Sequence, residues 1–170
     1  MLNANRLREL LHYNPDTGVF TWRARNGRGA NANNSEGAPA GSMHSKGYIV
    51  ITVDGHHGYK AHRLAWLYMT GEWPTRQIDH EDTVRNNNIF TNLRLATLNQ
   101  NAQNRKRPSR NNKSGYLGVS WDKKQEKWAA TLCINGKNKR LGRFKSPEEA
   151  SAAYLTAKAI HHPFSIGVSG

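Results

Sequence analysis

An acidic side chain, an imidazole and two amides stand at fixed distances along the middle of the chain. Asp79 and His80 are adjacent, Asn92 follows His80 by 12 positions, and Asn101 follows it by 21. Carboxylate and amide oxygens are ligands for hard divalent cations, and a neutral imidazole can take a proton from water near neutral pH. These residue types predict metal-assisted hydrolysis, in which Mg²⁺ or Mn²⁺ completes its coordination with water and phosphate oxygens.

Local signals predict the elements that position these side chains. Ile78, directly before Asp79, is expected to end a short strand. Thr97 followed by Gln100 is a capping-box pattern, so a helix should begin at Leu98 and present Asn101 from its first or second turn. The chain would then run strand, polar loop, helix, an order that can bring Asp79 and Asn101 together.

With this spacing, residues 78–105 resemble the HNH endonuclease motif in its asparagine-containing variant, as found in phage and intron-encoded homing nucleases. The resemblance implies a ββα-metal module in which Asp79 and Asn101 hold the metal, His80 is the general base, and Asn92 braces the loop by hydrogen bonds to backbone. Residues 61–74 resemble the segment that precedes this motif, so the resemblance spans about residues 45–105. The other interpretation is an ordinary polar loop whose asparagines cap helices and turns.

The residues directly after His80 depart from the family pattern. Glu81, Asp82 and Thr83 stand where relatives have Ile, Asn and Gly, and the two added carboxylates would either tune the metal site or repel DNA locally. Further upstream, the pattern predicts a helix over residues 2–11, a strand over 19–22, a long loop over 26–42, a β-hairpin over 47–61 and a helix over 62–69. His62, at the start of that last helix, is expected to be a structural histidine.

Positive charge is concentrated in the C-terminal part of the chain. The net charge is +13; residues 1–100 hold 11 lysines and arginines against 8 acidic residues, whereas residues 101–170 hold 14 against 4. Such a chain is attracted to polyanions, and double-stranded DNA is the predicted partner. A basic membrane-surface helix is disfavoured because the basic residues do not share one amphipathic helix. The basic connector over residues 102–113 contributes four candidate DNA contacts: Arg105, Lys106, Arg107 and Arg110.

Residues 114–170 predict a small three-stranded antiparallel sheet packed on one helix. Strands are expected over residues 116–121, 127–134 and 138–144, with an Asn135-Gly136 turn, and a helix is expected to follow the Ser146 cap, with Glu149 completing a capping box. One face of such a sheet stays uncovered, and a basic sheet face can enter the major groove. The candidate DNA contacts of this region are Lys123, Lys127, Thr131, Arg140 and Arg143.

Four short segments of this region resemble the Apetala-two or ethylene-response-factor DNA-binding domain. They are Gly-Val-Ser-Trp at 118–121, Lys-Trp-Ala-Ala at 127–130, Leu-Gly-Arg-Phe at 141–144 and Pro-Glu-Glu-Ala at 147–150. The resemblance implies the same sheet and helix but not the same target, because Leu117, Ser120 and Cys133 stand where plant members carry base-reading arginines. The expected domains are a nuclease over 1–105, a basic linker over 106–113 and a DNA-binding domain over 114–170.

The expected fold class is therefore α+β, and the leading hypothesis is a homing-type DNA endonuclease that nicks a site chosen by its C-terminal domain. The alternative is a non-catalytic, sequence-specific DNA-binding regulator with a degenerate HNH scaffold. RNA binding is a third hypothesis, disfavoured because no pair of sheet-surface aromatics has stacking spacing. Cys133 is the only cysteine, which excludes a cysteine-based zinc cage. The chain lacks a signal peptide and a bilayer-spanning apolar run, so a cytoplasmic location is expected, in the host cytosol if a phage encodes it; no protein partner is implied.

Overall fold

The computed structural model describes residues 2–23, 35–105, 107–162 and 164–165. It divides into two compact units, Met1–Ala96 and Thr97–Gly170. Both units combine helices with small antiparallel sheets of two or three strands. The predicted α+β class is thus confirmed.

The first unit opens with a short helix that runs directly into a β-hairpin. Helix α1 (Ala4–Leu10) begins after Asn3, whose side chain accepts a hydrogen bond from Arg6 N–H. Strands β1 (Leu11–Asn14) and β2 (Val19–Trp22) follow as an antiparallel pair. The predicted helix was one residue too long at its C-terminal end, because the chain turns extended at Leu11 to pair with β2.

A second hairpin leads into the longest helix of this unit. Strands β3 (Ser42–Met43), β4 (Ile49–Val53) and β5 (His56–Lys60) form one sheet, and α2 (Ala61–Thr70) follows without a break. The predicted hairpin and helix are confirmed, and the predicted long loop lies largely outside the described residues and contains Ser42 of β3 at its end. Apolar side chains of α1, β1, β2, β4 and α2 form one core, whose most buried members include Leu7, Leu11, Tyr13, Ile51, Val53, Leu64 and Leu67.

Two of the candidate site residues, Asp79 and His80, lie on a two-stranded sheet at the end of this unit. Strand β6 (Gln77–His80) pairs with β7 (Leu93–Ala96), and a 3-10 helix (Phe90–Asn92) precedes β7. Sequence reasoning ended the first strand at Ile78 and missed β7. The strand continues through His80 because β7 supplies its hydrogen-bonding partner, with His80 opposite Leu93.

The second unit consists of a short helix, a three-stranded sheet and a long helix. Helix α3 (Leu98–Gln103) begins with the predicted capping box. Strands β8 (Val119–Asp122), β9 (Lys127–Ile134) and β10 (Lys137–Phe144) lie in the order β10-β9-β8, and α4 (Pro147–His161) packs on one face. The core between them contains Val119, Ala130, Leu132, Ala150 and Tyr154.

Two local details of the second unit differ from expectation. Strand β8 starts at Val119, not at residue 116, because the preceding residues form a turn in which Asn112 Nδ2 donates to the carbonyls of Tyr116 and Val119. Ser146 caps α4 as predicted, but the Glu149 carboxylate accepts from Lys145 N–H and leaves the capping box incomplete. None of the helices in the described ranges is long and apolar enough to cross a membrane.

Candidate active site and nucleic-acid interface

His80 lies at the end of β6 and is almost fully buried. Its Nε2 is 3.3 Å from Asn88 Oδ1. The Asn88 amide is oriented by its own Nδ2, which donates to the Asn86 carbonyl at 3.2 Å. Since that carbonyl can only accept, Oδ1 faces the ring and Nε2 carries the proton. We infer that Nδ1 is the basic nitrogen of His80.

A second histidine packs against His80. The rings of His62 and His80 lie with centroids 5.0 Å apart and nearly perpendicular, and the Tyr48 ring lies 5.3 Å from His62. Burial lowers the pKa of His80, although the Asn88 hydrogen bond partly opposes this effect. Burial, together with the neighbouring His80, lowers the pKa of His62 to about 3. Both rings are therefore neutral at pH 7, the state that a proton acceptor requires.

The structure assigns His62 an environment that the sequence did not indicate. His62 is 5% exposed, and its Nδ1 has no hydrogen-bond partner among the described residues. His62 lies on α2 and His80 lies on β6, 18 positions later in the sequence. No local spacing pattern predicts a contact between them. Its role as a structural histidine stays a prediction, but its place beside the candidate base is clear.

The buried state of His62 makes stability depend on pH. The unfolded chain binds a proton on this ring near pH 6.5, whereas the folded chain does so only near pH 3. Stability is therefore full above about pH 6.5 and falls as the pH drops, by roughly 2 kcal/mol at pH 5 from this group. We expect His62→Phe to flatten this decline in urea unfolding measured at pH 7 and pH 5. The exposed His12 gives the control, since His12→Phe should keep the wild-type decline; equal declines in the wild type and His62→Phe would contradict the assignment.

Asp79 lies beside His80 and is paired with an arginine of β7. The Asp79 residue is 6% exposed. Its Oδ2 accepts hydrogen bonds from Arg94 Nη2 at 3.0 Å and from Arg94 Nε at 3.2 Å. Arg94 Nη1 is also 3.6 Å from Glu81 Oε1. Arg94 thus connects two carboxylates next to the candidate base. Sequence reasoning missed Arg94 because its position opposite Asp79 depends on the pairing of β6 with β7.

Asn92 holds the loop between β6 and β7 in place. Its Oδ1 accepts from Asp82 N–H at 3.0 Å, and its Nδ2 donates to Asp82 Oδ1 at 3.0 Å and to the Asn87 carbonyl at 2.9 Å. The Asp82 carboxylate also accepts from Val84 N–H and from Asn87 Nδ2. Burial alone would raise the pKa of Asp82, but these hydrogen bonds keep it below its ordinary value. The Asp82 side chain therefore stabilises the loop between β6 and β7 through hydrogen bonds.

The donors around β6 suit a hard divalent cation. They are the buried carboxylate of Asp79, whose Oδ2 is already paired with the Arg94 guanidinium, and the neighbouring His80 imidazole. No group of three His, Cys, Asp or Glu side chains able to hold a metal occurs among the described residues. Asn101 lies in α3 of the second unit, where its N–H donates to the Thr97 carbonyl, and its assignment as a ligand stays a prediction.

The second unit has one sheet face that α4 does not cover. Successive side chains of β9 point to opposite faces of the sheet. Ala130 and Leu132 face α4, so the side chains at 129, 131 and 133 face the opposite, uncovered side. Of the predicted DNA contacts, Lys127, Thr131, Arg140 and Arg143 lie on this uncovered face, through the register of β9 and β10. Lys123 lies in the exposed β8–β9 turn, the exposed Arg105, Arg107 and Arg110 precede β8, and Lys106 lies outside the described residues.

Part of the chain is similar to known proteins. Residues 59–103 match the HNH endonuclease family, a range that includes Asp79, His80, Asn92 and Asn101. Protein 3.8 of Escherichia phage T7 is 34% identical over 110 residues, which cover 62% of this chain and 90% of that protein. No solved structure matches the chain. The chain belongs to the HNH endonuclease family through its domain at residues 59–103 and is a homologue of the phage T7 protein.

Proposed function

We propose that this protein is a divalent-cation-dependent DNA endonuclease in which His80 activates the attacking water. The observation that carries the proposal is the position of His80: its ring is buried and its Nε2 lies against Asn88, inside the segment that matches the HNH endonucleases. A general base needs a fixed orientation towards the attacking water. Asn88 supplies the orientation.

Each residue of the site has one task in this proposal. Asp79 and Asn101 would hold the cation, which when bound polarises the scissile phosphate and stabilises the leaving oxygen. His80 Nδ1 accepts a proton from the water whose oxygen attacks phosphorus, and the bond from phosphorus to the leaving oxygen breaks. Asn88 keeps the imidazole oriented, and Asn92 with Asp82 keeps the loop fixed.

DNA selection is assigned to the uncovered face of the second unit. Its lysines and arginines, and the basic residues before β8, would bind the duplex, as the resemblance to Apetala-two domains implies. Tethering raises the local concentration of the nuclease at the bound site. We propose a homing-type enzyme with the nuclease over residues 1–105, the linker over 106–113 and the DNA-binding domain over 114–170. One active site per chain favours nicking of one strand.

Plasmid cleavage tests the proposal. Purified full-length protein should convert supercoiled plasmid to nicked circles in Mg²⁺ but not in EDTA. Asp79→Asn should slow nicking on the order of 10²-fold, because a lost ligand misplaces the cation. Asp16→Asn, which removes the same charge from an exposed turn, should cut at the wild-type rate. Nicking that persists in EDTA, or full activity of Asp79→Asn, would contradict the metal-dependent mechanism.

A non-catalytic DNA-binding protein is the second candidate, and the pairing of Asp79 with Arg94 favours it. Oδ2 of Asp79 is held by a guanidinium, which can replace a metal as the partner of that carboxylate. This candidate predicts that plasmid stays supercoiled in Mg²⁺ and in Mn²⁺ while salt-dependent DNA binding is retained. Cleavage by the wild type that depends on a divalent cation would exclude it.

A further inference from the structure

One acidic side chain connects two arginines of the uncovered sheet face. Asp122 Oδ2 accepts from Arg143 Nε at 2.9 Å and lies 3.4 Å from Arg140 Nη1. Its other oxygen, Oδ1, accepts from Lys124 N–H at 3.2 Å in the β8–β9 turn. The carboxylate is therefore fixed to backbone through one oxygen and holds Arg143 through the other. The Arg143 hydrogen bond also keeps the pKa of Asp122 low, so the carboxylate stays ionised.

A β-bulge brings the two arginines to the same face. Arg140 pairs with Thr131 and Arg143 with Ala129, so an offset of three residues on β10 matches an offset of two on β9. Residues three apart on a regular strand point to opposite faces, and the extra residue in β10 removes that difference. Simple alternation along β10 would have separated Arg140 from Arg143.

A small residue leaves room for the connection across the sheet. Ala129 lies in register between Arg143 on β10 and Ser120 on β8, and Asp122 is two residues further along β8. The Arg143 side chain must pass over the central strand β9 at Ala129 to reach Asp122 on β8. Ala129 is 3% exposed although α4 does not cover its face. We infer that neighbouring side chains, Arg143 among them, lie over it.

The pairing leaves part of the Arg143 guanidinium available. Asp122 accepts from Nε, and the two terminal nitrogens have no hydrogen-bond partner among the described residues. The Arg143 side chain is 39% exposed, against 15% for Asp122. A guanine offers two adjacent acceptors, O6 and N7, in the major groove, and a fixed guanidinium matches them.

We propose that Asp122 is a positioning residue that fixes Arg143 for bidentate hydrogen bonding to a guanine in the major groove, with Arg140 beside it. This proposal rests on the DNA-binding role of the uncovered face. A carboxylate close to DNA repels phosphates, so its presence weakens binding to any sequence. Asp122 therefore lowers the affinity for DNA of any sequence and raises the preference for guanine. Removing its charge should raise the general affinity and lower the guanine preference.

The experiment selects bound duplexes from a randomised library with the full-length protein, in EDTA to prevent cleavage. The wild type should enrich guanine at one position, and Asp122→Asn should reduce that preference about tenfold while other positions stay unchanged. Its affinity for an unrelated duplex should stay equal or rise. Arg143→Lys should lose the same guanine, since an ammonium cannot make the bidentate pair. Glu126→Gln removes a charge from the same turn without touching either arginine and should keep the preference.

The outcomes distinguish the positioning role of Asp122 from the DNA-binding role of the uncovered sheet face. A guanine preference that survives in both Asp122→Asn and Arg143→Lys would overturn the proposal, as would an even loss of preference at every position, which indicates a structural role. Salt-dependent binding by the wild type without any base preference would overturn it and leave the DNA-binding role intact. Wild-type protein that fails to bind DNA would overturn the DNA-binding role itself. Thermal unfolding shows whether Asp122→Asn folds, and if it does not, Arg143→Lys decides.

Discussion

Replacing His80 with alanine should abolish DNA nicking and leave DNA binding at its wild-type strength. Loss of a general base costs about 10² to 10⁴ in rate, and the proposed binding surface lies on a different unit of the chain. The rate of plasmid nicking in Mg²⁺ measures the first effect. The affinity for a duplex in EDTA, at several salt concentrations, measures the second.

Two further variants sharpen this result. His12→Ala, on an exposed position of β1, should nick at the wild-type rate and excludes a general effect of losing a histidine. Asn88→Ala should reduce the rate by about 10 to 100-fold, as expected for a residue that only orients the imidazole. If His80→Ala retains wild-type nicking, the base has been assigned to the wrong residue.

Replacing Gly18 with alanine should destabilise the first unit and impair nicking together. Gly18 adopts φ +72°, and a Cβ there would lie 2.4 Å from both the Asn88 carbonyl carbon and Ile89 N. The Asn88 backbone is already held by Tyr13, whose hydroxyl donates to its carbonyl. The loop must therefore shift, and with it the Asn88 side chain that orients His80. We expect a loss of about 2 to 5 kcal/mol, from the left-handed backbone and the overpacking combined.

Gly37→Ala is the matched control for this clash. Gly37 has a similar φ of +81° in the same unit, but a Cβ there meets no atom of the described ranges within 4 Å. Gly37→Ala should lower the free energy of unfolding by about 1 to 2 kcal/mol, the contribution of the left-handed backbone alone. Urea unfolding measures both losses, and plasmid nicking shows whether only Gly18→Ala affects the site. Equal losses for the two variants would contradict the proposed packing of Gly18 against the loop.

Sequence reasoning succeeded where hydrogen bonds connect near neighbours. Thr97 and Gln100 form the predicted capping box, and the Asp54-Gly55 and Asn135-Gly136 pairs both adopt positive φ in turns between strands. These features depend on residues a few positions apart, so their signals are local. The residues proposed as the active site also come from a local signal, the spacing of a motif, and their roles stay a prediction.

The missed features all depend on contacts between distant parts of the chain. Strand β7 is defined by its pairing with β6, and Arg94 meets Asp79 only through that register. His62 meets His80 through packing, and the bulge that aligns Arg140 with Arg143 follows from the pairing of β9 and β10. A side-chain alternation rule cannot foresee an inserted residue, since the insertion reverses every following position.

The most direct test of the proposed active site is a Mn²⁺ titration of the isotope-labelled full-length chain, followed by NMR. The His80→Ala variant bound to a short duplex keeps both proposed ligands and prevents cutting. The account predicts that the amide signals of residues 79 and 101 broaden at the same Mn²⁺ concentrations and recover when Mg²⁺ is added in excess. Broadening at one residue without the other, or at neither, would contradict the proposal that Asp79 and Asn101 hold one cation.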